Sequence, residues 1–255
     1  MTKRMKYEKH PSGHIVNFNK KNHTYFIQGM PNLKFISGTQ LVNKYFPKFD
    51  SFKVSELYAK KYNLDPVQVR KGWEEKGRKA RERGNKYHSY AEELLRNNHS
   101  IVNSKDDIMR AIEGKLKDLF KKNFKPVCAE CIIACLDLQV AGSVDLIMSR
   151  EDTLLIADWK FTEDLKYENP YKYDNTALDP ISHIPNTNYY QYVLQLSLYK
   201  YIIKREGYFP DLNKHKIQIF HVNDSGLRTI EVPDFTVEIK NMIADYNESK
   251  NNLNS

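Results

Sequence analysis

Apolar and polar residues follow two spacings along the chain, one typical of strands and one typical of helices. Alternation over residues 14–19 and the apolar run over 24–27 predict two short strands, with turn residues after them at 29–32. Helical spacing and helix start signals then predict helices over 37–46, 54–62, 73–97 and 108–120. An Asp-Pro pair at 65–66 is a further natural helix start, because proline is tolerated in the first turn. The first half is therefore predicted to be β-rich at its start and helical afterwards.

The second half predicts an antiparallel meander followed by a helix, a hairpin and a last helix. Its strands lie at 127–136, 142–148 and 153–161, and its later elements at 189–205, 216–223, 227–232 and 235–246. The proline-containing segment 162–188 has no clear periodicity, and a loop of this length predicts a flap that faces a substrate. We therefore expect an α/β chain in three parts, namely a β-rich lead-in over 1–50, a main domain over 51–250 with a helical insertion over 51–126, and a disordered tail over 251–255.

Composition narrows the class of protein. The 255 residues include 40 Lys and Arg against 32 Asp and Glu, so the formal net charge is +8, which favours a polyanionic partner. A hydrophobic content of 40% argues against disorder, and no apolar run approaches the roughly 18 residues that span a bilayer. The basic N-terminus is followed by polar residues rather than by the apolar stretch of a secretory signal. We expect a folded protein of a bacterial or phage-infected host cytoplasm, without a membrane partner.

Three cysteines, Cys128, Cys131 and Cys135, form a C-x2-C-x3-C run inside the first strand of the meander. Such spacing occurs in zinc and iron–sulfur sites, but the sequence has no fourth cysteine. Alternation places Cys131, Ile133 and Cys135 on one face of the strand, which favours buried thiols that pack as small hydrophobic residues. A metal role stays open as the alternative.

Two acidic residues and a lysine lie near the ends of neighbouring strands in the predicted meander. Asp158 and Lys160 follow an apolar run and share one face at a period of two. Asp145, on the preceding strand, can lie beside Asp158 in a hairpin, and two carboxylates suit a hard divalent cation. The alternative is a buried Asp–Lys ion pair, because charges at the edge of an apolar strand need a partner.

A helical stripe upstream supplies a third candidate ligand. Gly84, His88 and Glu92 recur every four residues and therefore lie on one side of the predicted helix. A neutral imidazole of His88, pressed against the strand ends, could bind the same cation. An ordinary surface or packing histidine is the alternative.

Taken in chain order, these residues resemble the motifs of the RecB-like nucleases of the PD-(D/E)XK superfamily. The residues that carry the resemblance are Gly84, His88, Glu92, Glu130, Asp145 with the Gly-Ser-Val before it, Asp158, Trp159, Lys160, and the Gln195 and Tyr199 of a Q-x-x-x-Y helix. The segment 23–39 is similar to the lead-in of phage-borne members and of mitochondrial genome-maintenance exonucleases. The resemblance covers most of residues 14–232. It implies a restriction-endonuclease-like core, with a mixed central sheet flanked by helices in αβββαβ order.

The resemblance also implies a role for individual residues. The implied metal ligands are His88, Asp145, Asp158 and the carbonyl of Trp159, with Mg²⁺ or Mn²⁺ as the cofactor. The implied catalytic residues are Asp145, Asp158 and Lys160. Supporting roles are implied for Glu92, Glu130, Gln195 and Tyr199, and we expect nucleic-acid contacts from Arg78, Arg81, Gln191 and Tyr199. No iron–sulfur cluster is expected, because family members that have one use four cysteines flanking the core.

We therefore expect a metal-dependent DNA nuclease, an exonuclease or DNA-end-processing enzyme in replication, recombination or repair, with a phage genome as one source. Expected partners are single- or double-stranded DNA ends and a recombination or replication protein. An endonuclease on the same core is one alternative, and a DNA-binding partner module without nuclease activity is another. For the basic run 78–83, a solvated helix face is the alternative to a DNA contact.

Overall fold

The computed structural model describes residues 5–30, 32–96, 104–169 and 175–254. The helices are α1 (Gly38–Asn43), α2 (Ser51–Tyr62), α3 (Pro66–Arg96), α4 (Asp107–Lys121), α5 (Asn188–Glu206) and α6 (Thr236–Asn254). The strands are β1 (Met5–Lys9), β2 (Ile15–Asn19), β3 (Thr24–Ile27), β4 (Ile36–Ser37), β5 (Lys125–Cys135), β6 (Val140–Arg150), β7 (Thr153–Lys160), β8 (Lys214–Asn223) and β9 (Gly226–Glu231).

A six-stranded mixed sheet forms the centre of the protein. Strand β6 pairs antiparallel with β5 and with β7, and β8 pairs antiparallel with β9. Two parallel pairings, β7 with β8 and β4 with β6, make the sheet mixed. Helix α5 connects β7 to the parallel strand β8, so the core follows the order α4-β5-β6-β7-α5-β8. The predicted mixed α/β fold and its αβββαβ order are confirmed.

Two strands share one edge of β6. Because β5 pairs with β6 from Val140 to Ser149, both β4 and β7 must lie along the other edge of β6. Strand β4 pairs with Val140 and Ala141, whereas β7 pairs only from Leu146 onward. Residues 142–145 lie between these two pairings, where β7 diverges from β6. We call this position the fork, and Asp145 lies in it.

Helices cover both faces of the sheet. On one face α5 and α6 pack against the central strands through a core that includes Ile133, Ile147, Ile156, Val193, Leu196 and Ile243. On the other face α3 and α4 pack through Leu94, Ile112, Leu116, Met148 and Leu155. The central strands are buried on both sides, which explains why their sequences are almost continuous apolar runs.

In β5 and β6, the regular alternation of side chains between the two faces of the sheet is interrupted at the fork. In β5, Cys131 belongs to the core under α5, whereas Ala129, two residues away, packs against the opposite core. The β6 residues that pair with them lie in the same two cores, the partner of Cys131 in the core under α5 and the partner of Ala129 in the opposite core. Glu130 lies between them with a φ of 52°, a left-handed backbone conformation that is uncommon for a residue with a side chain. This distortion brings the carboxylate of Glu130 near that of Asp145 in the fork.

Two helices extend well beyond the bounds predicted for them. The start at 65–66 and the helix predicted over 73–97 belong to one helix, α3. Pro66 begins it without losing a hydrogen bond, and Asp65 Oδ1 accepts a bond from the Val67 N–H at 2.9 Å. Helix α6 continues past its predicted end at 246 to Asn254, into the segment predicted as a tail. Each residue added to an established helix gains a backbone hydrogen bond, which outweighs the polar composition there.

Of the helices described, none combines the length and the apolar character needed to cross a bilayer.

A small antiparallel sheet, β1-β2-β3, precedes the main sheet. Strand β1, which the sequence pattern does not predict, pairs with β2. The small sheet packs against β5 through a core that includes Val16, Tyr25, Ile132 and Ala134. The predicted β-rich N-terminal lead-in is therefore present, while the division of the chain into three parts stays a prediction.

Candidate active site

Four secondary-structure elements meet at the fork. Helix α3 contributes His88, β5 contributes Glu130 and β6 contributes Asp145, and one ligand atom from each lies within 4.8 Å of the other two. Strand β7 contributes Asp158 and Lys160 from its C-terminal end. Residues that are distant in sequence thus form one cluster of three carboxylates, an imidazole and an ammonium group.

Asp145 connects the strands that separate at the fork. Its Oδ2 accepts a hydrogen bond from the Trp159 backbone N–H at 2.8 Å and lies 3.2 Å from His88 Nδ1. The N–H and C=O of one strand residue point to the same edge, so the Trp159 carbonyl also faces β6. The predicted ligands His88, Asp145 and Trp159 therefore lie around the same gap.

Asp158 and Lys160 form a nearly buried ion pair. Asp158 Oδ2 and Lys160 Nζ lie 2.7 Å apart, and the two side chains are 4% and 15% exposed. Lys160 Nζ also lies 4.3 Å from the centre of the Tyr192 ring. The structure thus contains the Asp–Lys pair that the sequence offers as an alternative to a metal site. The pair adjoins the other carboxylates, so the two interpretations are compatible.

The charged groups of the cluster shift one another's pKa values. Burial, and then the Asp145 carboxylate, raise the pKa of Asp158. Burial opposes protonation of His88, but Asp145 outweighs it and raises the pKa of His88 to about 9. Burial would raise the pKa of Asp145, yet His88 holds it below its usual range. Burial likewise disfavours the Lys160 cation, and Asp158 raises the pKa of Lys160 above its ordinary value. The carboxylates are therefore balanced by cations, and a divalent ion is another way to balance them.

A chain of side chains from α5 holds Lys160. Lys160 Nζ donates to Gln195 Oε1 at 3.5 Å, and Gln195 Nε2 donates to the Tyr199 hydroxyl at 3.1 Å. Burial raises the pKa of Tyr199 to about 12, so its hydroxyl is neutral. The Tyr199 ring lies against two glycines: a Cβ at Gly38 or at Gly142 would lie 2.6 or 2.4 Å from Tyr199 Cε1. Only residues without a side chain fit at these positions, which explains the two glycines.

The position of Tyr199 fits its predicted supporting role but not its predicted DNA contact. The residue is 2% exposed, so a ligand at the surface cannot reach its ring. Of the other predicted supports, Glu130 accepts a hydrogen bond from Ser143 Oγ at 3.0 Å. Glu92 forms an ion pair with Arg96 at 3.0 Å, one turn further along α3.

A cavity of about 760 Å³ opens beside the cluster, between α3 and the end of β7. Its lining includes three cations of α3, together with cluster residues and an aromatic ring of α5. These are Lys76, Lys79, Arg83, His88, Lys160 and Tyr192. The cavity therefore places a basic helix face next to the acidic cluster.

The predicted contacts Arg78 and Arg81 are not among the described residues that line this cavity. Arg78 is ion-paired with two glutamates of its own helix. Helical spacing explains why the cavity is lined by other cations of α3. Residues four positions apart lie on the same side of a helix, and counting back from His88 in steps of four passes two small residues and reaches Lys76. Extending the stripe of His88 toward the N-terminus is the sequence signal that finds the basic lining.

The remaining predicted contacts lie near the segment 162–188. Gln191 is half-buried, and its Nε2 donates to Asn186 Oδ1 at 3.3 Å. Residues 170–174 of the predicted flap lie outside the described residues. The described parts are anchored, because several of their apolar side chains enter the core under α5, namely Leu165, Ala177, Ile181 and Ile184.

The donor set at the fork suits a divalent cation. Carboxylate oxygens are the ligands that Mg²⁺ and Mn²⁺ prefer, and an imidazole nitrogen adds affinity for Mn²⁺. Because His88, Glu130 and Asp145 present their ligand atoms within 4.8 Å of one another, these three could hold such an ion. Asp158, on the adjoining strand, could join them. The residues present thus fit a divalent metal.

No family model matches the chain, and no curated protein matches it. Among solved structures, a protein described as "Putative exonuclease" from Eubacterium rectale has 11% sequence identity and a TM-score of 0.36, over 83% of this chain and 78% of that chain. The protein SSO0001 has 10% identity and a TM-score of 0.28, over 64% of this chain and 85% of that chain. TM-scores this low do not support an argument from either structure. The description of the fold and the site is therefore based on the geometry of this chain alone.

Proposed function

We propose that the protein is a metal-dependent deoxyribonuclease that hydrolyses phosphodiester bonds. The observation that supports this proposal is the convergence of three carboxylates, an imidazole and a lysine from four elements, beside a cavity with basic lining. These residues are His88, Glu130, Asp145, Asp158 and Lys160. They are also among the residues that carry the resemblance to the RecB-like nucleases.

The proposal assigns the cation to one set of ligands. These are His88, Asp145, Asp158 and the Trp159 carbonyl, and Glu130 joins them because its carboxylate lies within reach of the same ligand atoms. When bound, Mg²⁺ or Mn²⁺ supplies charge that polarises a phosphodiester and lowers the pKa of a water molecule. The chain's own contribution is to hold mutually repelling carboxylates together, which the core around β6 and β7 does.

Lys160 acts on the reacting phosphate in this proposal. Its ammonium group is charged, because Asp158 raises its pKa despite burial, and it lines the cavity. From there it orients the attacking water or neutralises charge that develops on the phosphate. Gln195 holds Lys160 from the other side and is in turn held by Tyr199.

The cavity receives the DNA strand. Lys76, Lys79 and Arg83 line it and form ion pairs with exposed carboxylates, which they could exchange for phosphates. Tyr192 offers a ring on which an unpaired base can stack. We prefer an exonuclease or end-processing role, because this is the commonest use among single-domain proteins of the resembled family. Replication, recombination or repair in a bacterial or phage-infected cell is the proposed setting, with a recombination or replication protein as partner.

The test compares wild type with Lys160→Ala on end-labelled linear single-stranded, linear double-stranded and covalently closed circular DNA. Each is incubated with Mg²⁺, Mn²⁺ or EDTA. Lys117→Ala, which removes an exposed lysine of α4, is the matched control. We expect metal-dependent loss of linear DNA by wild type and by the control, and none by Lys160→Ala.

The other outcomes separate the alternatives. Cutting of closed circles that depends on Lys160 would support an endonuclease on the same core. If wild type binds DNA but no cleavage depends on Lys160 in any metal, the nuclease proposal is wrong, and a DNA-binding partner module becomes the better explanation.

A further inference from the structure

A second cluster of metal-ligand side chains lies on the other side of Glu130. Glu8 of β1 and Cys128 and Cys131 of β5 each place one ligand atom within 4.8 Å of the other two. Cys128 Sγ lies 3.7 Å from Glu8 Oε1, to which it donates. Both cysteines are free thiols, Cys131 buried and Cys128 partly exposed. The proposed nuclease chemistry uses none of these three residues.

The distortion at Glu130 brings the two thiols together. In a regular strand, residues three positions apart point to opposite faces of the sheet. Here Cys128 and Cys131 both pack against the core under α5, whereas Ala129 packs against the opposite core. The change of phase at Glu130 therefore gives a C-x2-C pair a common face, which a straight strand cannot do.

The carboxylate comes from a different sheet. Glu8 lies in β1, opposite Val16 of β2, and the small N-terminal sheet packs against β5. The half-buried Glu8 carboxylate lies beside the two thiols, and it would provide a cation with a negatively charged oxygen ligand. Sulfur and oxygen ligands together suit Zn²⁺, which binds Cys and Glu in tetrahedral sites and leaves a fourth position for water where the protein offers three ligands.

We propose that Glu8, Cys128 and Cys131 form a binding site for a thiophilic divalent cation, Zn²⁺, separate from the site at the fork. On binding, each thiol releases its proton to solvent, and the two thiolates and the carboxylate bond to the metal. Nothing is oxidised or reduced. The inference is independent of the proposed nuclease function, because it rests on different residues.

Such a cation would join the two sheets. Within the described residues, the buried core between the N-terminal sheet and β5 is small, with Val16 and Tyr25 meeting Ile132 and Ala134. A three-stranded sheet with so small a core gains little free energy from packing. A metal bridge from Glu8 to Cys128 and Cys131 would fasten β1 to β5 and hold the backbone on both sides of Glu130.

The test uses the untagged full chain, purified under reducing conditions, freed of metal and titrated with Co²⁺ as a spectroscopic probe for Zn²⁺. Thiolate ligation gives a sulfur-to-cobalt charge-transfer band, which oxygen and nitrogen ligands do not give. We expect this band to saturate at one Co²⁺ per chain and to disappear when Zn²⁺ is added. Cys128→Ser and Cys131→Ser should lose most of the band. Cys135→Ser, the matched control, and Asp145→Asn, at the fork, should keep it.

A second measurement guards against variants that fail to fold. Glu8→Gln keeps both thiols, and it should retain the band but bind Co²⁺ at least tenfold more weakly. Thermal unfolding is followed in an Asp145→Asn background, because the fork could also bind Zn²⁺. There Zn²⁺ should raise the midpoint of the parent and of its Cys135→Ser variant but not of its Cys128→Ser variant. Absence of the charge-transfer band in wild type, or an undiminished band in both Cys128→Ser and Cys131→Ser, would overturn the proposal. So would equal stabilisation by Zn²⁺ of the Asp145→Asn protein with and without Cys128→Ser.

Discussion

At the scale of single residues, the candidate site depends on a buried lysine whose neighbours define its position. Lys160 contacts the Asp158 carboxylate, the Tyr192 ring and the Gln195 amide. A long, flexible side chain loses rotamer freedom when it is held in one place, and these contacts compensate for that loss. Removal of the amide leaves the ion pair of Lys160 with Asp158 intact.

We predict that Gln195→Ala lowers the cleavage rate by about 10–100-fold without abolishing it, as removal of a supporting hydrogen bond typically does. Lys160 would keep its charge and its contact with Asp158 but lose the group that fixes its position. Initial rates at saturating DNA measure the effect, with Mn²⁺ affinity as the companion measurement. Lys204→Ala, at an exposed position of the same helix, is the control and should keep a rate close to wild type. An unchanged rate in Gln195→Ala would remove Gln195 from its supporting role.

The contact between Gly142 and Tyr199 gives a prediction on stability. A Cβ at position 142 would lie 2.4 Å from Tyr199 Cε1, and Tyr199 is buried. We therefore expect Gly142→Ala to lower the free energy of unfolding by about 1–3 kcal/mol, the usual result of overpacking. Gly114→Ala is the control, because a Cβ there meets nothing within 4 Å. In urea unfolding this helix substitution should stabilise by up to ~1 kcal/mol. Equal effects of the two substitutions would contradict the close contact.

At the scale of elements, the long helix α3 links the cavity to the cluster. One of its faces carries Lys76, Lys79 and Arg83 into the cavity and His88 to the fork. Lys76 and Lys79 form ion pairs with Glu163 and Glu75 at the surface, and such exposed pairs contribute little free energy. Their charges are therefore available to a phosphate.

We predict that the double variant Lys76→Glu and Lys79→Glu flattens the salt dependence of DNA binding. Each phosphate contact contributes about 0.7 for single strands to about 0.9 for duplex to the slope of log affinity against log salt concentration. Loss of both contacts should therefore reduce the slope by roughly 1.5. Binding is measured in EDTA, so that no cleavage interferes. Arg78→Glu with Arg81→Glu is the matched control from the same helix and should leave the slope unchanged. The opposite pattern would assign the DNA contact to Arg78 and Arg81.

The elements also show how far the sequence could predict this site. Asp158 and Lys160 were predictable, because a buried strand ends in two charges, and His88 was predictable from its helical stripe. The place of Glu130 was not, because it depends on a left-handed residue that local propensity disfavours. The cluster of Glu8 with the cysteines depends in addition on how a separate sheet packs against β5. Helix and strand positions follow from local periodicity, whereas contacts between elements follow from tertiary packing.

At the scale of the whole molecule, a cation at the fork would join parts of the chain that are otherwise held by packing and by the ion pair of His88 with Asp145. His88 belongs to α3, and Asp145 belongs to the central sheet. In the metal-free protein these two carry opposite charges, since Asp145 raises the pKa of His88 to about 9. A cation that binds only the folded chain stabilises it by mass action, by about 2.7 kcal/mol at a concentration 100 times its Kd.

We therefore predict that Mn²⁺ raises the unfolding midpoint of wild type and that EDTA reverses the increase. Mn²⁺ should stabilise more than Mg²⁺ at equal free concentration, because the imidazole nitrogen of His88 favours Mn²⁺. Asp145→Asn should abolish the metal-dependent shift, because it removes a charged ligand that α3 and the sheet share. Asp118→Asn, at an exposed position of α4, is the control and should shift as wild type does.

The measurement is made without DNA and separates metal binding from catalysis. If Lys160→Ala retains the Mn²⁺ shift but cleaves nothing, the lysine acts on the phosphate. If Asp145→Asn retains it, the cation binds elsewhere in the chain.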